Sequence, residues 1–145
     1  MPKISEPGPL LLDTHVWLWL VLGTGKLSSA ARSTIVDAAS AGDLRIAAIT
    51  VWEIALLASR HRITLGRPIL QWIEQAVYAS LVTVEPLTPE IAVESCDLPD
   101  RFHQDPADRM IVATARVTGA VVMTQDRRIL DYAARGHLRV RPAAD

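Results

Sequence analysis

The sequence predicts an α/β fold, a three-layer sandwich in which a mainly parallel central sheet is flanked by helices. Short apolar runs typical of buried strands alternate along the chain with longer segments that carry helix-capping signals. Hydrophobic residues make up 50% of the 145, which is enough for one compact domain with a substantial core. This alternation favours parallel strands joined by right-handed crossover helices over a helical bundle or a sandwich of two sheets.

The first predicted elements are one strand and two helices. Residues 10–12, three leucines, form a short apolar run typical of a buried strand. Residues 16–22 form a helix-like apolar stretch that stops at a glycine. Either Ser28 or Ser29 is a suitable cap for the second helix, which runs through Ser40.

The middle of the chain continues the alternation. A strand over residues 44–49 precedes a helix from Thr50 to about residue 60, and Glu53 completes a capping box at the start of that helix. A Gly-Arg-Pro segment opens a further helix that ends near residue 80. Residues 81–87 then alternate as a strand does.

Two cap-plus-proline pairs open helices in the last third of the chain. Thr88-Pro89 begins one that fades at Leu98-Pro99, and Asp105-Pro106 begins another that ends at Thr118. We expect a strand over residues 120–124, a last helix from Asp126 and a short strand near residues 138–140. We interpret the whole chain, residues 1–145, as a single domain with a core over about residues 10–140 and a short lead over residues 1–9.

Four acids fall just after a predicted strand or in the first turn of the next helix: Asp13, Glu53, Asp108 and Asp126. Each of the last three has a simple structural explanation, because acids cap helices and favour their first turns. The carboxyl ends of parallel strands, however, lie along one edge of a sheet, and open α/β folds place their sites there. We therefore expect the four carboxylates to converge.

Converging carboxylates repel one another and raise their own pKa values unless a cation lies between them. No lysine follows Lys26, so no nearby lysine side chain can supply that cation. Mg²⁺ and Mn²⁺ prefer oxygen ligands, activate water and neutralise a phosphodiester during in-line displacement. The single cysteine, Cys96, excludes a zinc site made of several thiolates. The residues thus favour metal-dependent phosphodiester hydrolysis.

Four segments in order resemble the motifs of the PIN-domain family, in particular VapC-like toxins: LLDTH at 11–15, TVWEI at 50–54, DPADRMIVATA at 105–115 and TQDRRI at 124–129. The resemblance implies a PIN-like fold, in which Asp13, Glu53, Asp108 and Asp126 are the metal-binding catalytic acids and Thr124 is the hydroxyl residue that supports them. It also implies RNA cleavage with Mg²⁺ or Mn²⁺, a homodimer and a cognate VapB-like antitoxin. The motifs do not select an RNA target.

Some residues near the acids have two open interpretations. Arg109 and Arg127 are candidate substrate-binding residues that contact phosphate, or they are solvated helix ends. Most of the four tryptophans are expected in the core, with base stacking open to one that is exposed near the site. His15 and His103 are expected to be ordinary polar packing residues, outside the site.

The net charge of −1 gives no overall basic excess, so any contact with nucleic acid must be local. No apolar run is long enough for a membrane span and no signal peptide is recognisable, so we expect a cytoplasmic protein.

Three other functions compete. A phosphatase would place a second acid at position 15, which is a histidine, or a lysine late in the sheet. A housekeeping PIN-type RNA-processing nuclease differs from a toxin in lacking an antitoxin and in not stopping growth. A non-catalytic interaction module would use the acids only as caps and would bind no metal.

Overall fold

The computed structural model describes residues 8–145, so most of the predicted lead lies outside the described residues. The elements are β1 (Leu10–Leu12), α1 (Thr14–Leu22), α2 (Ser29–Ser40), β2 (Leu44–Ala47), α3 (Ala48–Ser59), α4 (Ile69–Ser80), β3 (Thr83–Glu85), α5 (Pro89–Cys96), α6 (Pro106–Thr118), β4 (Val121–Thr124), α7 (Arg127–Ala134) and β5 (Val140–Pro142). Ser28, Thr88 and Asp105 cap α2, α5 and α6, as predicted.

The five strands form one sheet in the order β3-β2-β1-β4-β5, and every neighbouring pair is parallel. β1 is central, with Leu12 opposite Ile46 of β2 on one side and Met123 of β4 on the other. Along the chain, β2 and β3 therefore follow β1 on one side of the sheet, and β4 and β5 are then added on the other side. The carboxyl ends of β1, β2 and β4 lie together along one edge, as the predicted parallel sheet requires.

Helices cover both faces of the sheet and bury its alternating side chains. Leu10 and Leu12 pack on one face with residues of α1, α2, α3 and α4, whereas Leu11 packs on the other face with Ile111 and Ala115 of α6. α5, α6 and α7 share a further apolar cluster that includes Tyr132. This is the predicted three-layer sandwich. No helix within residues 8–145 is both long enough and apolar enough to cross a membrane.

The predicted boundary between β2 and α3 is wrong. The strand ends at Ala47 and the helix begins at Ala48, with no side-chain cap. Thr50 therefore lies inside the helix, and its hydroxyl group pairs with that of Thr14 at 2.8 Å instead of capping. The predicted capping box does not form, and Glu53 is free for other contacts. β5 also lies two residues later than expected, at Val140–Pro142.

Candidate active site

Asp13 lies directly after β1, and its side chain is held by bonds to both carboxylate oxygens. It is only 3% exposed. Oδ1 accepts a hydrogen bond from the backbone N–H of Thr14 at 2.8 Å, and Oδ2 accepts one from the Thr124 hydroxyl at 2.7 Å. Asp13 is thus the N-cap of α1 as well as the first acid of the site.

Thr124 links two of the predicted acids. Its hydroxyl donates to Asp13 and accepts from the backbone N–H of Asp126 at 2.9 Å. Asp126 is the N-cap of α7, and its Oδ1 accepts from the backbone N–H groups of Arg128 at 2.8 Å and Ile129 at 3.3 Å. Both cap bonds fall on the same oxygen. The cap and a ligand role are therefore compatible in one side chain.

Glu53 faces the same edge from α3. Its Oε1 accepts a hydrogen bond from the Thr14 hydroxyl at 2.5 Å, which ties α3 to the start of α1. Burial raises the pKa of Glu53 above its usual value, the bond from Thr14 opposes that rise, and the charges of Asp13 and Asp105 add to it.

The start of α6 brings two more acids. Asp105 is the N-cap, and its Oδ2 accepts from the backbone N–H of Asp108 at 3.0 Å. The backbone N–H of Asp105 bonds to His103 Nδ1 and not to the Asp108 side chain, so no capping box forms. Burial raises the pKa of Asp108 from 3.8 to about 7, and the charges of four further carboxylates contribute to that rise: Asp13, Asp105, Asp126 and Glu53. The predicted acids therefore share one electrostatic environment.

Two histidines that were expected to lie outside the site are close to its acids. His15 Nδ1 is 3.5 Å from Asp13 Oδ2, and His15 Nε2 accepts from the backbone N–H of Gln125 at 3.1 Å. His103 Nε2 is 3.0 Å from Asp108 Oδ2, although the alignment is not that of a hydrogen bond. Each histidine is close to its acid along the chain, and that proximity was the available signal.

The two candidate phosphate-binding arginines differ. Arg109 donates to the backbone carbonyls of Ser95 at 2.7 Å, Phe102 at 3.0 Å and His103 at 3.3 Å, so its guanidinium group holds the segment between α5 and α6. This geometry gives no support to a phosphate contact by Arg109. Arg127 is exposed at the first residue of α7, next to Asp126.

The donor set fits a hard divalent cation, because carboxylate and hydroxyl oxygens predominate at this edge. Asp13, Asp108 and Asp126 also lie at helix N-termini, where the helix dipole stabilises negative charge. Within residues 8–145, no three of the acidic, histidine or cysteine side chains are close enough to ligate one ion as they stand. Ligation would therefore require side-chain rotation at this edge.

Comparisons with known proteins agree on one family. The family model for the PIN domain matches residues 10–135. The chain is 40% identical to ribonuclease VapC22 of Mycobacterium tuberculosis over 133 residues, which are 92% of this chain and 95% of that relative.

Solved structures of low sequence identity share the fold. The crystal structure of VapBC2 from Rickettsia felis, bound to a DNA fragment from its promoter, aligns with a TM-score of 0.66 at 12% identity, covering 92% of this chain and 97% of that one. FitAcB from Neisseria gonorrhoeae aligns with a TM-score of 0.60 at 20% identity, covering 90% and 95%. These likenesses confirm the predicted fold class.

Proposed function

Because the chain belongs to the PIN domain family, we propose that it is a divalent-metal-dependent endoribonuclease and the toxin of a toxin–antitoxin pair. One observation carries the proposal of metal dependence. Burial and four neighbouring carboxylates raise the pKa of Asp108 to about 7, at the edge of the sheet where α/β folds place their sites. Such a concentration of negative charge is the environment that a bound cation stabilises.

Asp13, Glu53, Asp108 and Asp126 are the residues that would hold Mg²⁺ or Mn²⁺. When bound, the ion supplies activation of a water molecule and neutralisation of charge on the phosphodiester. The chain's own residues prepare the site. Thr124 fixes the spacing of two acids by bonding to Asp13 and to the backbone of Asp126.

Two further groups orient the reaction. The Thr14 hydroxyl holds the carboxylate of Glu53, so the acid on α3 keeps its position relative to the start of α1. The exposed guanidinium group of Arg127 lies beside Asp126 along the chain, where it would bind a phosphate oxygen of the RNA strand. The similarity to a ribonuclease supports RNA as the proposed substrate.

The experiment that tests the enzyme is RNA cleavage by the purified protein with Mn²⁺, with Mg²⁺ and with excess chelator. We expect cleavage only with metal, and a loss of at least about 100-fold in Asp13→Asn, since even groups that only orient ligands are worth 10-fold to 100-fold. Asp131→Asn, an exposed acid on α7, is the matched control and should keep full activity. Full activity in chelator would refute the proposal.

The proposed partner is a VapB-like antitoxin, because the solved structures that share the fold include VapBC complexes. A cavity of about 500 Å³ between α1, α2 and α4 is lined by apolar side chains, among them Leu20, Val21, Val36 and Trp72. A helix laid in a groove is a common mode of peptide recognition. Val16 and Trp17, near the start of α1, are fully buried and therefore cannot take part in this docking surface.

Co-expression tests this pairing. A gene for a small antitoxin next to this one should yield a complex that lacks nuclease activity, whereas expression of the chain alone should arrest growth. Val36→Glu should release the antitoxin and leave cleavage intact, because Val36 is an exposed residue of α2 in a cavity lining that includes none of the four acids. Free, active protein recovered from the two-gene expression would support the housekeeping nuclease instead. The proposed homodimer is tested by light scattering of the purified protein.

A further inference from the structure

Trp52 is an exposed aromatic side chain beside the carboxylates. It immediately precedes Glu53 on α3 and is 54% exposed, whereas Trp17 is fully buried. Trp19 and Trp72 are partly buried and each packs against another ring. Trp52 is thus the tryptophan that is exposed near the site, the case for which base stacking was left open. A large aromatic surface that is open to water next to a site is available to a ligand with a flat apolar face.

The indole ring of Trp52 lines a cavity of about 250 Å³ between α3 and the start of α6. Leu56 and Pro106 continue its apolar lining, and Glu53 and Asp105 contribute carboxylates. Since Glu53 is one of the predicted metal-binding acids, the cavity adjoins the candidate active site.

The lining favours a planar group that carries no negative charge. The acids Glu53 and Asp105 repel a phosphate group from this cavity, and the apolar side chains give an anion no partner. The volume is smaller than the roughly 300–1,000 Å³ of pockets for drug-sized ligands, so it suits one ring system. Nucleobases meet these conditions, and they stack on tryptophan without regard to sequence.

We infer that Trp52 is a stacking platform for a nucleobase next to the phosphodiester that the enzyme cleaves in single-stranded RNA. The inference rests on the proposed nuclease function and adds a substrate-binding residue to it. The stacked base would hold the adjacent phosphate beside Glu53 and Asp13. Truncation of such a base contact costs about 5-fold to 150-fold in affinity.

The test is a double-mutant cycle that combines a change of the Trp52 side chain with the removal of one base from the RNA. Trp52→Leu, Trp52→Phe and wild type are compared on a short single-stranded oligoribonucleotide and on versions with one abasic residue at each position near the cleaved bond. We expect Trp52→Leu to lose about 5-fold to 150-fold in kcat/KM on the intact strand and nothing further at one abasic position. Trp52→Phe, which keeps a ring, should lose less. Tyr78→Leu, an exposed aromatic on α4, is the matched control and should behave as wild type.

Binding to the same oligoribonucleotides separates this inference from the proposed function. It is measured by fluorescence anisotropy in an Asp108→Asn background. Base-dependent binding that requires Trp52, together with a wild-type protein that cleaves no RNA with Mn²⁺ or Mg²⁺, would refute the nuclease and support the platform. Equal losses for Trp52→Leu on intact and abasic strands, or cleavage equal to wild type, would overturn the platform alone. A change of oligomeric state in Trp52→Leu with RNA binding kept would assign Trp52 to a protein contact and also overturn it.

Discussion

Asp108→Asn should stabilise the protein in metal-free buffer at neutral and higher pH, although it should abolish cleavage. Asp108 has a pKa raised from 3.8 to about 7 in the folded protein. An acid with a raised folded-state pKa binds a proton on folding, so it destabilises the protein once the pH exceeds the unfolded value. That penalty grows as the pH rises from 3.8 to about 7 and is complete above it.

The size of the effect follows from three contributions. One pKa unit corresponds to about 1.4 kcal/mol, so a rise from 3.8 to about 7 sets an upper limit of about 4 kcal/mol. The side chain is 18% exposed, and screening by solvent reduces this limit. Loss of the charge from the first turn of α6 removes about 0.3–1 kcal/mol of favourable dipole interaction. We expect a net gain of about 1–3 kcal/mol at pH 8, which is the upper limit less these two reductions.

Urea unfolding in excess chelator at pH 4 and pH 8 measures the change. The gain from Asp108→Asn should be near zero at pH 4, where the wild-type carboxyl group is protonated in the folded protein, and largest at pH 8. Glu90→Gln is the matched control, because Glu90 lies in the first turn of α5 away from the acids. It should lose only the dipole interaction. A loss of stability for Asp108→Asn at pH 8 would refute the reasoning, because it would show that the charge of Asp108 is compensated in the folded protein.

Three further predictions follow from individual contacts. Asp105→Ala should lower the free energy of unfolding by about 1 kcal/mol while Asp105→Asn changes it little, because asparagine also caps the N–H of Asp108; denaturant unfolding checks both, and equal losses would contradict the cap. Thr124→Val should cost about 1–3 kcal/mol, since it leaves a part-buried N–H of Asp126 unsatisfied, whereas Thr124→Ser should be mild in the same assay. Mn²⁺ at 100 times its Kd should stabilise the wild-type protein by about 2.7 kcal/mol and so raise its melting temperature, whereas the melting temperature of Asp13→Asn should not change. Equal shifts in the two proteins would show that the ion binds elsewhere.

Much of the fold was predictable because its signals are local. The three leucines of β1 lie on alternate faces of the sheet, and the caps at Ser28, Thr88 and Asp105 begin helices within one or two residues of the expected positions. A capping side chain bonds to a backbone group only two or three residues away. Such patterns can be recognised from residues that are close together in the sequence.

The candidate site was predictable in its acids and incomplete in their partners. The order of Asp13, Glu53, Asp108 and Asp126 along strands that alternate with helices was enough to expect one edge. The local sequence that predicted a capping box at Thr50 did not show that the Thr50 hydroxyl pairs with the hydroxyl of Thr14, which is 36 residues away.

The contacts that define the site join residues far apart in the chain. The Thr124 hydroxyl reaches Asp13 across 111 residues, and His15 bonds to the backbone of Gln125 across 110. These distances depend on the register of β1 against β4, which is set by how whole side-chain layers pack and not by any nearby residue. The sequence by itself determined most of the elements and which acids to expect at one edge, and the tertiary structure decided which hydrogen bonds hold those acids and left Trp52 open beside them.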